Sequence, residues 1–155
     1  MPYDELLSRY VAGPQRLHAA VAGMTAEQVR ARPIAGRWST LEVVAHIADF
    51  EIIGVDRLMA VLAEDNPAMP GRDEQKFAVR LNYHDRNLDE QLELIELCRR
   101  HAAAHLRKLK EQDWRRTGIH SEVGPLTLLQ LLERVTGHIE HHLPFIDAKR
   151  RALAV

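Results

Sequence analysis

"WSTLEVVAHIADFE", residues 38–51, decides the fold class because it begins a long helix that is apolar around most of its circumference. Ser39 and Glu42 have the spacing of a capping box, in which each side chain bonds the backbone N–H of the other residue. The apolar residues that follow predict a helix to about residue 63. A helix with so little polar surface is expected to be buried among other helices.

The rest of the chain predicts more helices and no strand of useful length. The predicted long helices are residues 3–23, 39–63, 87–110 and 127–151. Pro14 is expected to kink the first of them, residues 64–74 are predicted as a loop, and residues 74–82 as a short helix. The prediction is therefore an all-α four-helix bundle in one domain, residues 1–155, with a long connection over residues 64–87 that crosses the bundle.

Composition limits the classes of function. The net charge is -1 with histidines neutral, which argues against a nucleic-acid binder. The short basic runs "RKLK" (107–110) and "KRR" (149–151) are interpreted as solvated helix ends. Cys98 is the only cysteine, which fits a reducing compartment, and no apolar run reaches the roughly 18–20 residues of a membrane-spanning helix. The sequence predicts a cytoplasmic protein that binds neither nucleic acid nor membrane.

A cluster of histidines lies in the last predicted helix, within "VTGHIEHHLPF" (135–145). His138 and His142 are one turn apart and fall within the arc of apolar residues, whereas His141 falls outside it. Two imidazoles at this spacing can bind one divalent ion, although a third donor is needed to hold it well. Two buried histidines with only a structural role are the alternative.

His46 is the candidate third donor. It lies two turns into the buried helix, at a level that can meet the late pair if the helices run in suitable directions. A hydrogen-bonded core histidine is the alternative interpretation. His101 and His105 share the same spacing, but they lie off the apolar stripe among arginines and lysines, so we interpret that pair as solvated surface.

These segments together resemble the DinB/YfiT-like family of metal-binding helical bundles. The resemblance covers roughly residues 5–150 and depends on "RPIAGRWSTLEVVAHIADFE" (32–51) and "GPLTLLQLLERVTGHIEHH" (124–142). The residues that match the family motif are Trp38, Ser39, His46, His138 and His142. Pro144 departs from the pattern, since the family more often has a residue there that continues the helix.

The resemblance implies an up-down-down-up bundle with a divalent metal ion on His46, His138 and His142, often as a homodimer. Zinc or nickel is the expected ion, ahead of manganese or iron. The family includes thiol-dependent S-transferases that use low-molecular-weight thiols, hydrolases, isomerases and members without a known reaction. A small-molecule substrate is therefore expected.

Three histidine nitrogens leave coordination positions open, as in catalytic metal sites. An open position can hold water, which favours hydrolysis, or a thiol, which favours S-transfer. Asp49 and Glu51 are candidates for orienting a ligand or transferring a proton, although ordinary surface acids are an equal alternative. Cys98 lacks an activating motif and is a poor nucleophile candidate. A non-catalytic metal-binding bundle and a metal-free interaction module are the competing classes.

Overall fold

Four long helices form the frame of a computed structural model that describes residues 2–155. The helices are α1 (Pro2–Val21), α2 (Ala26–Arg30), α3 (Thr40–Ala63), α4 (Glu74–Arg80), α5 (Leu88–Leu106) and α6 (Leu128–Leu153), and the strands are β1 (Ala68–Met69), β2 (Thr117–His120) and β3 (Gly124–Thr127). Short 3-10 helices cover Tyr83–Asp85 and Glu111–Arg115. None of the helices in this described range combines the length and apolar character needed to cross a bilayer.

Capping boxes fix where α3 and α6 begin. At the start of α3, the backbone N–H of Glu42 donates to Ser39 Oγ at 3.1 Å, and the backbone N–H of Ser39 donates to Glu42 Oε2 at 2.7 Å. Thr127 and Gln130 make the equivalent pair of bonds at the start of α6. Because a cap sets the first residue of a helix, it also sets the direction in which every later side chain points. The orientation of the histidines on α3 and α6 follows from these two starts.

The helices α1 and α6 run parallel and the helices α3 and α6 run antiparallel. Arg16 Nη1 lies 2.9 Å from Glu140 Oε1, and further along both helices Arg150 Nη1 donates to the carbonyl oxygen of Ala20 at 3.1 Å. On the other side of α6, His46 meets His142, and Gly54 meets Val135. The first and last long helices therefore share one direction, and α3 has the opposite one.

The helix α5 runs parallel to α3, which completes the up-down-down-up order. Early residues of both helices share one apolar cluster and late residues share another, with the Glu51–Arg99 ion pair between them. The cluster at the early end includes Val43, Val44, Ile47, Leu92 and Ile95, and the cluster at the late end includes Leu58, Val61, Ala102, Ala103 and Leu106. The predicted four-helix bundle with this topology is thus confirmed.

The prediction of no strands was wrong, because the loops form a small three-stranded sheet. β1 pairs in parallel with β2, and β2 pairs antiparallel with β3, with Ile119 opposite Pro125. The strands have only two to four residues, β2 and β3 contain glycine, and β3 also contains proline, so they carry no alternating pattern that could be read from sequence. The sheet joins the long middle connection to the segment before α6 and places His120 beside the bundle.

Two smaller expectations also need correction. The helix α5 ends at Leu106, four residues earlier than expected. Only part of the "KRR" run is solvated, since Lys149 is 3% exposed and Arg150 donates to the carbonyl oxygens of Ala20 and Ala22. Pro14 and Pro144 lie inside α1 and α6, and both helices continue beyond them.

Candidate metal centre

His46 lies at the centre of the site, in the first half of the buried helix α3. Its side chain is 1% exposed, and its Nε2 atom lies 3.0 Å from Nε2 of His138. Phe50 and Trp38 flank the imidazole, with ring centroids 4.5 Å and 5.2 Å away. Aromatic packing therefore fixes the ring plane while its Nε2 edge faces α6.

The helix α6 supplies the other two imidazoles from adjacent turns. Nε2 of His142 lies 3.2 Å from Nε2 of His138, and His142 is only 9% exposed. The candidate ligand atoms of His46, His138 and His142 all lie within 4.8 Å of one another. Within the described part of the chain, this is the one group of three or more His, Cys, Asp or Glu residues with such geometry. The structure thus brings together the three histidines that the sequence selected.

All three histidines are held neutral. Burial lowers the pKa of His46 to about 4, with a smaller opposing effect from the charge of Asp49. Burial, together with smaller effects of the neighbouring histidines, lowers the pKa of His138 to about 2 and that of His142 to about 3. Neutral imidazole is the form that binds metal, so the site is already in its ligating state at neutral pH.

The donor set fits a divalent ion of the zinc type. Nε2 of His138 lies 3.0 Å from Nε2 of His46 and 3.2 Å from Nε2 of His142. Because this nitrogen of a neutral imidazole carries either one proton or one lone pair, it forms at most one good hydrogen bond with these two neighbours. A cation between the three nitrogens would interact favourably with all three lone pairs. Nδ1 of His46 and Nδ1 of His142 are buried without a hydrogen-bond partner in residues 2–155. The Nε2 atoms are therefore the ones that converge, and packing rather than hydrogen bonding orients these two rings.

The remaining predicted histidines lie outside the converging group, as their helical phase indicated. His141 is exposed at the rim of the same cavity, and its ring packs against those of His142 and Phe145, with centroids 5.0 Å and 5.3 Å away. His101 and His105 are exposed on α5 and face each other across one turn. None of these three belongs to the converging group.

The two candidate acids, Asp49 and Glu51, each form an ion pair with an arginine. Asp49 receives two hydrogen bonds from Arg86, at 2.6 Å and 3.0 Å. Glu51 is fully buried and bonds Arg99 through Oε1. Neither acid is among the residues that line the cavity in front of the histidines. Their suggested part in proton transfer stays a prediction.

Glu74 is an acid at the site that sequence reasoning missed. Its Oε2 atom lies 3.9 Å from Nε2 of His46, the side chain is 55% exposed, and it lines the cavity. It stands at the start of α4, which packs on α3 through a contact between Phe77 and Phe50. No motif marks Glu74, because only the folding of the long middle connection brings it to His46.

A cavity of about 710 Å³ opens in front of the three histidines. It lies within the size range of small-molecule sites. Its charged lining is mainly cationic: Arg37, Arg57, Arg72, Arg134 and Lys149 against Glu74 and Glu122. His120 also lines it, 7% exposed, with Nδ1 accepting from the backbone N–H of Glu122 at 3.2 Å.

A four-helix bundle with three convergent histidines at a cavity defines a class of metal-site proteins, and comparison with known proteins places this chain within it. The chain belongs to the DinB superfamily, whose sequence profile matches residues 9–146. Relatives named as candidate metal-dependent hydrolases include one from Oceanobacillus iheyensis, 29% identical over 87% of this chain and 78% of the relative. Another from Geobacillus thermodenitrificans is 30% identical over 89% of this chain and 78% of its own length.

Solved structures agree with the fold. YfiT from Bacillus subtilis, described as a probable metal-dependent hydrolase with an unusual four-helix bundle topology, matches with a TM-score of 0.90 and 26% identity over 97% of this chain and 87% of that one. The mycothiol-dependent maleylpyruvate isomerase matches with a TM-score of 0.73 and 16% identity, over 93% of this chain and 60% of that one. The second likeness is one of fold alone.

Proposed function

We propose that this protein is a metal-dependent hydrolase of a small molecule, with His46, His138 and His142 as the ligands of one divalent ion. The observation that carries the proposal is the convergence of three neutral imidazoles at a cavity of about 710 Å³. Membership of a family whose relatives are named as candidate metal-dependent hydrolases supports it. Zinc or nickel suits three imidazole nitrogens best, with manganese or iron as weaker candidates.

A divalent ion on three histidines supplies Lewis-acid chemistry, polarising a substrate carbonyl or phosphoryl oxygen and activating water near neutral pH. The protein contributes the geometry of that chemistry. The buried helix α3 and the aromatic rings of Trp38 and Phe50 hold His46 in place and limit the access of bulk water. The cavity leaves the opposite side of the site open to a substrate.

Glu74 is proposed as the residue that accepts and returns the proton. Its carboxylate oxygen lies 3.9 Å from the Nε2 atom of His46, so it faces the region where the three nitrogens meet. It makes no ion pair with an arginine among the described residues, unlike Asp49 and Glu51, and its partial exposure allows exchange of the proton with solvent. A carboxylate that is near the reacting groups and is not paired with an arginine is suited to act as a general base.

Transfer from a low-molecular-weight thiol is the second candidate reaction. The cavity volume of about 710 Å³ favours it, because that space accommodates two small reactants side by side. The open side of the three-histidine site would then bind a thiol as thiolate. A role in metal binding without catalysis and a metal-free interaction module are the remaining classes, and homodimerisation stays a prediction.

Elemental analysis of the purified protein, followed by a turnover panel, tests the proposal. The panel combines carboxylic esters, amides and phosphate esters, each with and without a small thiol. Metal-dependent hydrolysis without thiol is expected, and turnover only with thiol would favour S-transfer. A stoichiometric metal content with no turnover in either arm would contradict the proposed enzyme and favour non-catalytic binding.

A further inference from the structure

The cavity contains a buried cation without an acidic partner. Lys149 is 3% exposed and lines the cavity, and its Nζ donates to the carbonyl oxygen of Phe145 at 3.0 Å. An ammonium group has three donors, so this bond leaves two of them for another group. No carboxylate in residues 2–155 forms an ion pair with it, and Glu42, whose charge acts on Lys149, is already bonded to Arg32.

The energetics of this arrangement favour an anionic partner for Lys149. Burying an ammonium group is costly unless a counter-charge or several hydrogen bonds compensate it. Arg37 adds to the cost, because it lines the same cavity and its charge, after burial itself, is the main influence that lowers the pKa of Lys149. Two cations that line one cavity and are near enough for the charge of one to act on the other favour binding of an anion.

The helix α6 carries both Lys149 and two of the three histidines of the metal centre. It follows His142 by seven residues, which is two turns and about 10 Å along the helix axis on nearly the same face. Arg134 stands one turn before His138 and also lines the cavity. The histidine pair is therefore bracketed along α6 by a cation on each side.

We infer that the substrate is a small organic anion, a carboxylate or a phosphate monoester, whose charged group is bound by Lys149 and Arg37 while the bond to be cleaved lies at the three histidines. Only the position of the bond to be cleaved rests on the proposed function; the binding of the anion does not. An anion binds best where hydrogen-bond donors are already positioned and shielded from water. The buried ammonium group of Lys149 supplies such a charged donor. The other arginines that line the cavity raise the local concentration of anions.

The test is calorimetric binding of four probes to the full chain, as isolated and after treatment with a chelator. The probes are phenyl phosphate and benzoate as anions, with phenol and benzyl alcohol as neutral partners of similar shape. Wild type is expected to bind at least one anion about tenfold or more tightly than its neutral partner, with or without metal. Comparison of the two anions separates phosphate from carboxylate.

Lys149→Met removes the charge and keeps the length of the side chain, and Lys108→Met, in the exposed turn after α5, is the control. Lys149→Met is expected to lose the preference for the anion while Lys108→Met keeps it. Lys149→Gln provides a second variant, and melting curves check that each protein is folded. Equal binding of anion and neutral probe by wild type, or an unchanged preference in both Lys149 variants, would overturn the inference. Neither result depends on the metal, whose binding is measured separately.

Discussion

Arg99 bonds a single carboxylate oxygen of Glu51 through two nitrogens, at 2.9 Å and 2.5 Å, in the centre of the bundle. Both residues are almost completely buried, at 1% and 0% exposure. Arg99 also donates to the carbonyl oxygens of Tyr10 and Val135, each at 2.9 Å, so one guanidinium joins α1, α3, α5 and α6. The link to Val135 lies one turn before His138, which connects the ion pair to the metal centre.

Removal of this guanidinium is expected to destabilise the fold strongly. Arg99→Met leaves the carboxylate of Glu51 buried without its counter-charge, and breaking a buried pair in this way costs about 3–5 kcal/mol. Urea unfolding monitored by circular dichroism measures the loss. Arg100→Met is the control, because Arg100 on the same helix forms only an exposed pair with Glu96. Similar stability losses in both variants would show that the buried pair has no special role.

The position of the Arg99 side chain is expected to require a glycine at residue 13. A Cβ atom at this position of α1 would collide with Nη1 of Arg99 and lie 3.3 Å from Cδ1 of Ile139. Gly137→Ala is the matched control, since a Cβ at that helical position meets nothing within 4 Å. We expect Gly13→Ala to lower the melting temperature and Gly137→Ala to stabilise by about 0.5–1 kcal/mol through helix propensity. A neutral or stabilising Gly13→Ala would contradict the observed packing.

The stability of the metal-free protein is expected to fall as the pH is lowered below about 6.5. The pKa values of His46, His138 and His142 are lowered from 6.5 to about 4, about 2 and about 3, chiefly by burial. The unfolded chain therefore binds protons at these histidines in a pH range in which the folded chain does not. Each histidine lowers the free energy of unfolding by up to about 1.4 kcal/mol per pH unit between about pH 6.5 and its folded pKa.

Chelator-treated protein unfolded in urea at several pH values between 7 and 4.5 measures this slope. The double variant His46→Gln/His138→Gln should show a shallower dependence than wild type. The control His101→Gln/His105→Gln, altered on the exposed face of α5, should keep the wild-type slope. A double variant at the metal centre with an unchanged slope would mean that these histidines are not held neutral by the fold.

Glu74→Gln tests the proposed proton acceptor once a hydrolysed substrate is known. The amide keeps the size of the side chain but cannot accept a proton at neutral pH, so turnover is expected to fall about 10²–10⁴-fold. Metal content should stay at the wild-type value, because Glu74 is not one of the converging ligands. Lys76→Gln, two residues away and outside the cavity lining, is the control. Wild-type turnover in Glu74→Gln would exclude it as the base.

The parts of the fold that the sequence predicted are those encoded locally. Ser39 with Glu42 marks the start of α3 and Thr127 with Gln130 marks the start of α6, and both capping boxes are present. Once the starts are known, the period of 3.6 residues separates inward His142 from outward His141. The three-histidine cluster could therefore be predicted from the sequence.

The features that the sequence did not predict depend on contacts between distant segments. The pairing of β1 with β2 joins residues about fifty positions apart and has no local pattern. Glu74 reaches the cavity only because the middle connection folds back on α3. Lys149 reaches it because the last turns of α6 pack against other parts of the protein. Lys149 looked solvated in a basic run, since its burial comes from neighbours that its own helix does not specify.

The central claim is that His46, His138 and His142 hold one divalent ion, and titration of the chelator-treated protein with Co²⁺ or Zn²⁺ tests it most directly. Wild type is expected to bind one ion per chain. His142→Ala should bind at least about 100-fold more weakly, since changes in the shell behind the ligands alone cost about 10–100-fold. His141→Ala, one residue away and exposed, should bind like wild type. Equal affinity in all three proteins, or no binding by wild type, would contradict the account.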